Sequence, residues 1–205
     1  MNAREPLLNP TPIADLKPTQ ITVGLREVKA KRQEWRHRSA MKGSEFLGTH
    51  MIPTVLGPKR RHYVTDHHHL ARALLDEGVK VVLVTVQADL SQLSTAGFWK
   101  FLDNRAWCHP YDAAGHRRDF DAIPGSIAKL DDDPYRSLAG ELRRAGGFAK
   151  DTTPFSEFLW ADFLRGEVSR KMVDGDFPAA LKKAVKLSKD KKSAYLPGWC
   201  GPDPE

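Results

Sequence analysis

Apolar positions along this chain change period several times, and each change marks an element. Ile21-Thr22-Val23-Gly24-Leu25 is short and β-branched, which predicts a first strand, followed by a basic helical stretch from about Val28 to Met41 with Trp35 turned inward. Pro53-Thr54-Val55-Leu56 and His62-Tyr63-Val64-Thr65 flank Gly57-Pro58-Lys59-Arg60, a spacing that suits a hairpin closed by a proline-containing turn. Leu70, Ala73 and Leu74 then recur at the i, i+3, i+4 spacing of an inward helix face, and Gly78 stands where a left-handed C-terminal cap is expected. The next run, Val79 to Val86, contains Lys80 and Thr85 and is far shorter than the roughly 20 residues of a membrane span, so it reads as a buried strand.

Strand, helix, hairpin, helix, strand implies an α+β fold, a small mixed sheet with helices packed on it. The second half reads as a helical C-terminal extension. Asp133-Pro134 starts a helix carrying Leu138 and Leu142 and stopping at Gly146-Gly147. Thr153-Pro154 starts another with Phe155, Phe158, Leu159 and Phe163 as its stripe, and Asp176 caps a last helix bearing Leu181, Ala184 and Val185. Phe98 to Gly125 is rich in aromatics, His and Arg and has no clear period. The expected division is an α/β core over residues 1–92 and an extension over 93–205, together one structural unit, since 205 residues leave little room for two complete domains and a linker.

Composition narrows the setting. Pro6, Pro10, Pro12 and Pro18 suggest an extended lead-in instead of an export signal, and the expected location is the cytoplasm. Cys108 and Cys200 lie far apart and read as reduced thiols. The net charge of +6 suits a polyanionic partner, and its distribution matters more than its size. Between Arg26 and His62 there are ten Lys/Arg and three acids, while Lys182 to Lys192 is lysine-rich.

The sharpest chemical feature is Asp66-His67-His68-His69, directly before the helix of Leu70. Placed at the N-cap, Asp66 accepts hydrogen bonds from the first-turn amides, which contributes roughly 1 kcal/mol. A helix N-terminus carries partial positive charge and unpaired N–H donors, so it attracts phosphate, and the same field keeps the three imidazoles neutral and able to donate. Neutral imidazole is also a metal ligand, with Cys108, His109 and His116 as further donors, but neighbouring helix residues point about 100° apart, so three in a row do not converge on one ion.

Tyr63 to Leu74, followed by the strand Val79 to Val86, resembles the segment of the ParB/sulfiredoxin superfamily in which a strand ends in Asp-Gly-His-His-Arg and a helix begins. Within it the whole chain is most similar to the bacterial group labelled ParB-like nucleases. Asp133-Pro134-Tyr135-Arg136-Ser137-Leu138 and the Thr153-Pro154-Phe155 helix look like that group's own C-terminal part. The resemblance implies a nucleoside di- or triphosphate lying on the helix N-terminus with Mg²⁺. Asp66 matches the motif's acid and is the carboxylate expected on the Mg²⁺, and His68 and His69 match its two histidines. His67 stands where the motif has Gly, and Leu70 replaces its Arg. The free serine kinases of the superfamily carry a catalytic Glu after the first strand, where this chain has Glu27.

A carboxylate at Glu27 takes a proton from an attacking hydroxyl or water, although Glu in a helical first turn is also favoured by the dipole and by pairing with Lys31. Among the nearby cations, Arg26 and Arg61 are the first choices for phosphate. The expected function is a nucleotide-binding, Mg²⁺-dependent phosphotransferase or nucleotide hydrolase, with Glu27 and Asp66 catalytic and His67, His68, His69, Arg26 and Arg61 on the phosphates. The alternatives are a DNA-binding protein or nuclease, for which no helix-turn-helix follows the sheet, and a non-catalytic binding module.

Overall fold

A computed structural model describes residues 9–202, with the backbone alone described over 40–44. In chain order the elements are β1 (Asn9–Pro12), β2 (Thr22–Val23), α1 (Leu25–Thr49), β3 (Ile52–Leu56), β4 (His62–Val64), α2 (His68–Asp76), β5 (Val81–Asp89), α3 (Thr95–Asn104), β6 (Asp131–Asp132), α4 (Pro134–Arg144), α5 (Ser156–Glu167), α6 (Arg170–Gly175) and α7 (Phe177–Ser188). The fold is α+β, a mixed sheet with packed helices and a helical C-terminal part, as the pattern predicts. The chain gathers into two compact units. The first holds residues 9–22, Val28–Asp112 and His116–Asp131, and the second holds Val23–Glu27, Ala113–Gly115 and residues 132–202. Residues 93–112 and 116–131, which the sequence pattern groups with the extension, therefore pack with the sheet.

In the first unit the sheet runs β1-β5-β3-β4. β3 and β5 are parallel, while β1 and β4 are antiparallel to their neighbours. The hairpin forms where expected, with Thr54 opposite Val64 and Leu56 opposite His62. Val82 and Val84 of β5 are buried and alternate with more exposed positions, which marks a sheet with one covered face. α2 buries Leu70, Ala71, Ala73 and Leu74, and Gly78 ends its turn at φ 76°. The outer edge of β4 is not left open: Lys17 N–H donates to the His62 carbonyl and Val64 N–H to the Lys17 carbonyl.

Two strand expectations change. The run Ile21 to Leu25 is not a strand of this sheet, because only Thr22–Val23 is extended and the helix already begins at Leu25. The strand beside β5 is instead β1, from the proline-rich lead-in. Pro10 and Pro12 have no N–H to give, which an edge position tolerates and an interior one does not. Trp35 is half-buried and meets Phe46 edge-on at 5.4 Å. In the segment without a clear period, Ser94 caps α3, whose Phe98 and Leu102 pack with Val55 and Cys108.

The second unit is helical around Leu138, Leu142, Trp160, Leu164, Val173 and Ala180. Asp133 caps α4 by accepting from Tyr135 N–H at 2.9 Å, and Asp176 caps α7 by accepting from Ala179 N–H at 3.1 Å. On α5 the buried stripe is Phe158, Trp160, Ala161 and Leu164, whereas the expected Leu159 is 42% exposed. No helix of the described residues is long and apolar enough to cross a membrane.

Candidate functional site

The turn from β4 into α2 lies within the first unit. β4 ends at Val64, and Thr65 ties the turn back to the sheet, its N–H donating to the Pro53 carbonyl and its hydroxyl to Gln87 Oε1 at 2.8 Å. Asp66 and His67 follow, both exposed. The N-cap is His67, not Asp66. Its backbone is left-handed, with φ 65° and ψ 26°, and the right-handed helix begins at the next residue. This places a histidine in the conformation glycine adopts without strain, at the position where the resembled motif has Gly. Asp66 sits one residue earlier and accepts from the His67 N–H at 2.6 Å.

The left-handed to right-handed step has a chemical consequence. Successive main-chain N–H groups across such a step line a concavity that holds anions. The first helical hydrogen bond is Ala71 N–H to the His67 carbonyl, so the amides of His68, His69 and Leu70 precede the helix ladder. In this structure the Asp66 carboxylate is the anion nearest that cradle. The His67 ring is turned aside, its Nδ1 lying 3.1 Å from the Met51 carbonyl, which fits an Nδ1–H donor.

The other two histidines face inward. His68 and His69 are 4% and 7% exposed. His68 Nε2 accepts from the Thr19 N–H at 3.1 Å, and the Thr19 hydroxyl donates to the Val64 carbonyl at 2.7 Å. Burial, reinforced by the neighbouring imidazoles of His69, His67 and His109, pushes His68 down to about 3, and a hydrogen bond with the Val64 backbone opposes this weakly. The ring is therefore neutral and occupied in joining residues 17–20 to the turn. His109 shares this hub: its N–H donates to the Thr19 carbonyl at 2.8 Å and its ring stacks on Tyr111 at 4.5 Å. Thr19 and His109 carry no sequence signal for this role beyond a proline-flanked threonine and one histidine among several.

The expected site residues fall in three places. Arg61 precedes β4 and Asp66 follows it, so a three-residue strand, about 10 Å long, separates them. Arg26 and Glu27 belong to the second unit. There the Arg26 guanidinium lies 3.9 Å over the Phe177 ring. Glu27 is 8% exposed, and its Oε2 accepts from Arg136 Nη1 at 3.0 Å. Arg136 is itself buried and lies 3.8 Å from Glu157. Gly140 leaves room for the pair, since a Cβ there would stand 3.0 Å from Glu27 Oε2. Glu27 thus has a buried guanidinium partner, and its Oε2 is engaged in that pair. For the metal alternative, burial pushes the Cys108 thiol up to about 12, His116 is exposed, and no group of three metal-ligating side chains occurs among the described residues.

No curated protein matches this chain. Among solved structures, the crystal structure of protein Atu1540 from Agrobacterium tumefaciens is similar to it at 48% identity and a TM-score of 0.90, covering 97% of this chain and 100% of that one. The family described as "Putative ParB-like nuclease" matches residues 10–166, a span that holds the four-stranded sheet from Pro10 on, the Asp66–His69 turn and the Glu27–Arg136 pair, and the chain belongs to that family.

Proposed function

We propose that this ParB-like protein binds the phosphate tail of a nucleoside di- or triphosphate, with Mg²⁺, at the turn from β4 into α2. One observation carries the reading: the left-handed His67 followed by the right-handed turn of α2, the kind of backbone step whose successive main-chain N–H groups hold anions. Asp66 suits the ion, because Mg²⁺ is usually held by one or two carboxylates together with the ligand's phosphates and water. An Mg²⁺ held by Asp66 would supply neutralisation of phosphate charge, and Asp66, turned to the ion, would free the His67 amide for a phosphate oxygen. Phosphoryl transfer depends mainly on positioning and electrostatics, so this small set of groups is compatible with a phosphotransferase or nucleotide hydrolase. Asp66, not the paired Glu27, is the carboxylate assigned to it.

Calorimetry with ATP, ADP and CTP in Mg²⁺ tests the reading. Binding that weakens at least about tenfold in Asp66→Asn and loses its Mg²⁺ dependence is expected, and absence of binding at about 1 mM nucleotide overturns it. Binding without turnover identifies a non-catalytic module. The second reading, a nuclease or DNA-binding protein, is favoured by the family and by the exposed cations Lys59, Arg60 and Arg61. A metal-dependent nuclease normally clusters carboxylates, whereas Asp66 stands without such a group among the described residues. Mg²⁺-dependent nicking of plasmid that disappears in Asp66→Asn would favour this second reading.

A further inference from the structure

Helix α7 buries one face and crowds charge onto the other. Phe177, Ala180, Ala184 and Ser188 are buried at the spacing of a single helical stripe. Lys182, Lys186 and Lys189 fall on the opposite face, since successive residues turn by about 100°. Lys191 and Lys192, in the short turn that follows, continue the run. Lys183, on the flank, is engaged, its Nζ donating to the Glu167 carbonyl at 2.6 Å. Lys182, Lys186, Lys191 and Lys192 have no carboxylate within ion-pair distance among the described residues, and the one acid between Phe177 and Cys200, Asp190, accepts from the Lys192 main-chain N–H at 2.9 Å. Other helices of the same unit pair their cations: Arg144 with Glu141 on α4, and Arg170 with Asp174 on α6. Like charges three and four positions apart on a helix repel, so α7 carries a repulsion that one acid in place of a lysine would relieve. After the lysines comes Tyr195, 75% exposed, the most of any large apolar side chain among the described residues.

We infer that the lysine face of α7, with Lys191, Lys192 and Tyr195, docks on the surface of an anionic lipid bilayer. Charge complementarity calls for a polyanion, and the composition between Phe177 and Cys200 selects which. That stretch has no Arg, Asn, Gln or His, the side chains that fork onto phosphodiesters or read base edges. Lysine is also depleted at protein–protein interfaces, where Arg and aromatic anchors prevail. A bilayer demands no fixed geometry: its negative surface potential attracts clustered lysines as mobile point charges, and a tyrosine, apolar with one polar end, settles at the level of the headgroups. The apolar face of α7 stays in the core of its own unit, so the contact is peripheral, made by ammonium groups and one tyrosine. It makes no use of Asp66 or the turn into α2 and stands independently of the nucleotide reading.

Flotation of the full chain with phosphatidylcholine vesicles, with and without phosphatidylglycerol, tests this. Binding is expected to the anionic vesicles alone and to weaken as salt rises. Lys182→Gln/Lys186→Gln/Lys191→Gln is expected to weaken it at least about twentyfold, from a contribution of roughly fivefold per lysine. Its thermal midpoint is expected to be no lower than that of the unsubstituted chain, because the substitutions remove repulsion. Lys100→Gln/Lys129→Gln/Lys150→Gln takes the same charge from other exposed positions and is expected to stay within about twofold of the unsubstituted chain. Tyr195→Ser is expected to weaken binding without changing its salt dependence. Absence of binding to the anionic vesicles, equal binding to the neutral ones, or an equal loss in both triple variants overturns the inference. So does a nucleic-acid duplex that the α7 triple variant no longer binds while its vesicle binding stays intact, which would give this face to nucleic acid instead.

Discussion

Left-handed backbone at a residue with a Cβ costs roughly 1–2 kcal/mol, and a branched Cβ makes it worse. His67 bears that cost at the start of α2. His67→Val is therefore expected to lower stability by about 1–2 kcal/mol, while His67→Gly matches or exceeds the unsubstituted protein, less whatever the Met51 contact contributes. Urea unfolding of the two variants checks this, and equal midpoints would remove the strain from the account. His68 supplies a pH dependence with a definite sign. Its imidazole takes a proton near pH 6.5 in the unfolded chain and only at about 3 when folded. Between those values the unfolded state binds one proton more, so stability is complete above pH 6.5 and falls by about 1.4 kcal/mol per unit as pH drops toward 3. His68→Gln should lack that share of the slope, and denaturation curves at pH 7, 6, 5 and 4 read it directly. The Asp-His-His-His run was legible as a special turn. Which histidine turns inward depends on Thr19, 49 residues away from His68, and local pattern carries no information about it.

Elements with local signals were legible and those without were not. α2 and α4 have apolar spacing, a glycine stop and, for α4, an Asp-Pro start, so their positions followed from the chain alone. β1 was hidden because prolines argue against strands everywhere except at an edge, and an edge is defined by the neighbour, β5. α6 is six residues long, too short for a period to emerge. Glu27 shows the same limit at a candidate site. Its sequence neighbours suggested Lys31, but its partner is Arg136 on α4, 109 residues away. Glu27→Ala leaves the buried Arg136 with the more distant Glu157, at 3.8 Å, and is therefore expected to cost up to about 3 kcal/mol, the low end for a broken buried pair. Glu27→Ala/Arg136→Met should recover much of that loss, because it leaves no unpaired buried charge. A double-mutant cycle by urea unfolding reports the coupling, and additive effects of the two substitutions would show the pair to be energetically idle.

For the molecule as a whole, the family span ends at residue 166, and the helical core does not. Val168, Val173, Phe177, Ala180, Ala184 and Leu196 are buried in the same cluster as Leu138, Leu142, Trp160 and Leu164. Polar ties cross the same boundary. Trp160 Nε1–H donates to the Pro197 carbonyl at 2.8 Å, the Tyr135 hydroxyl to the Val168 carbonyl at 2.8 Å, and Ala149 N–H to the Gly198 carbonyl at 2.7 Å. A chain cut after Gly166 would expose the partners of six buried apolar residues, each of the larger ones contributing about 1.5–3 kcal/mol on burial, and would orphan three acceptor-satisfied donors or their carbonyls. That loss is comparable with the entire stability of an ordinary domain, about 5–15 kcal/mol. The truncated chain is therefore expected to lose cooperative folding of the second unit. Hydrogen exchange followed by mass spectrometry should find α4 and α5 unprotected in the truncated chain and protected in the full one. Native protection of both helices in the truncated chain would mean that the family span folds by itself and that α6, α7 and the residues after them are an addition to a core already complete.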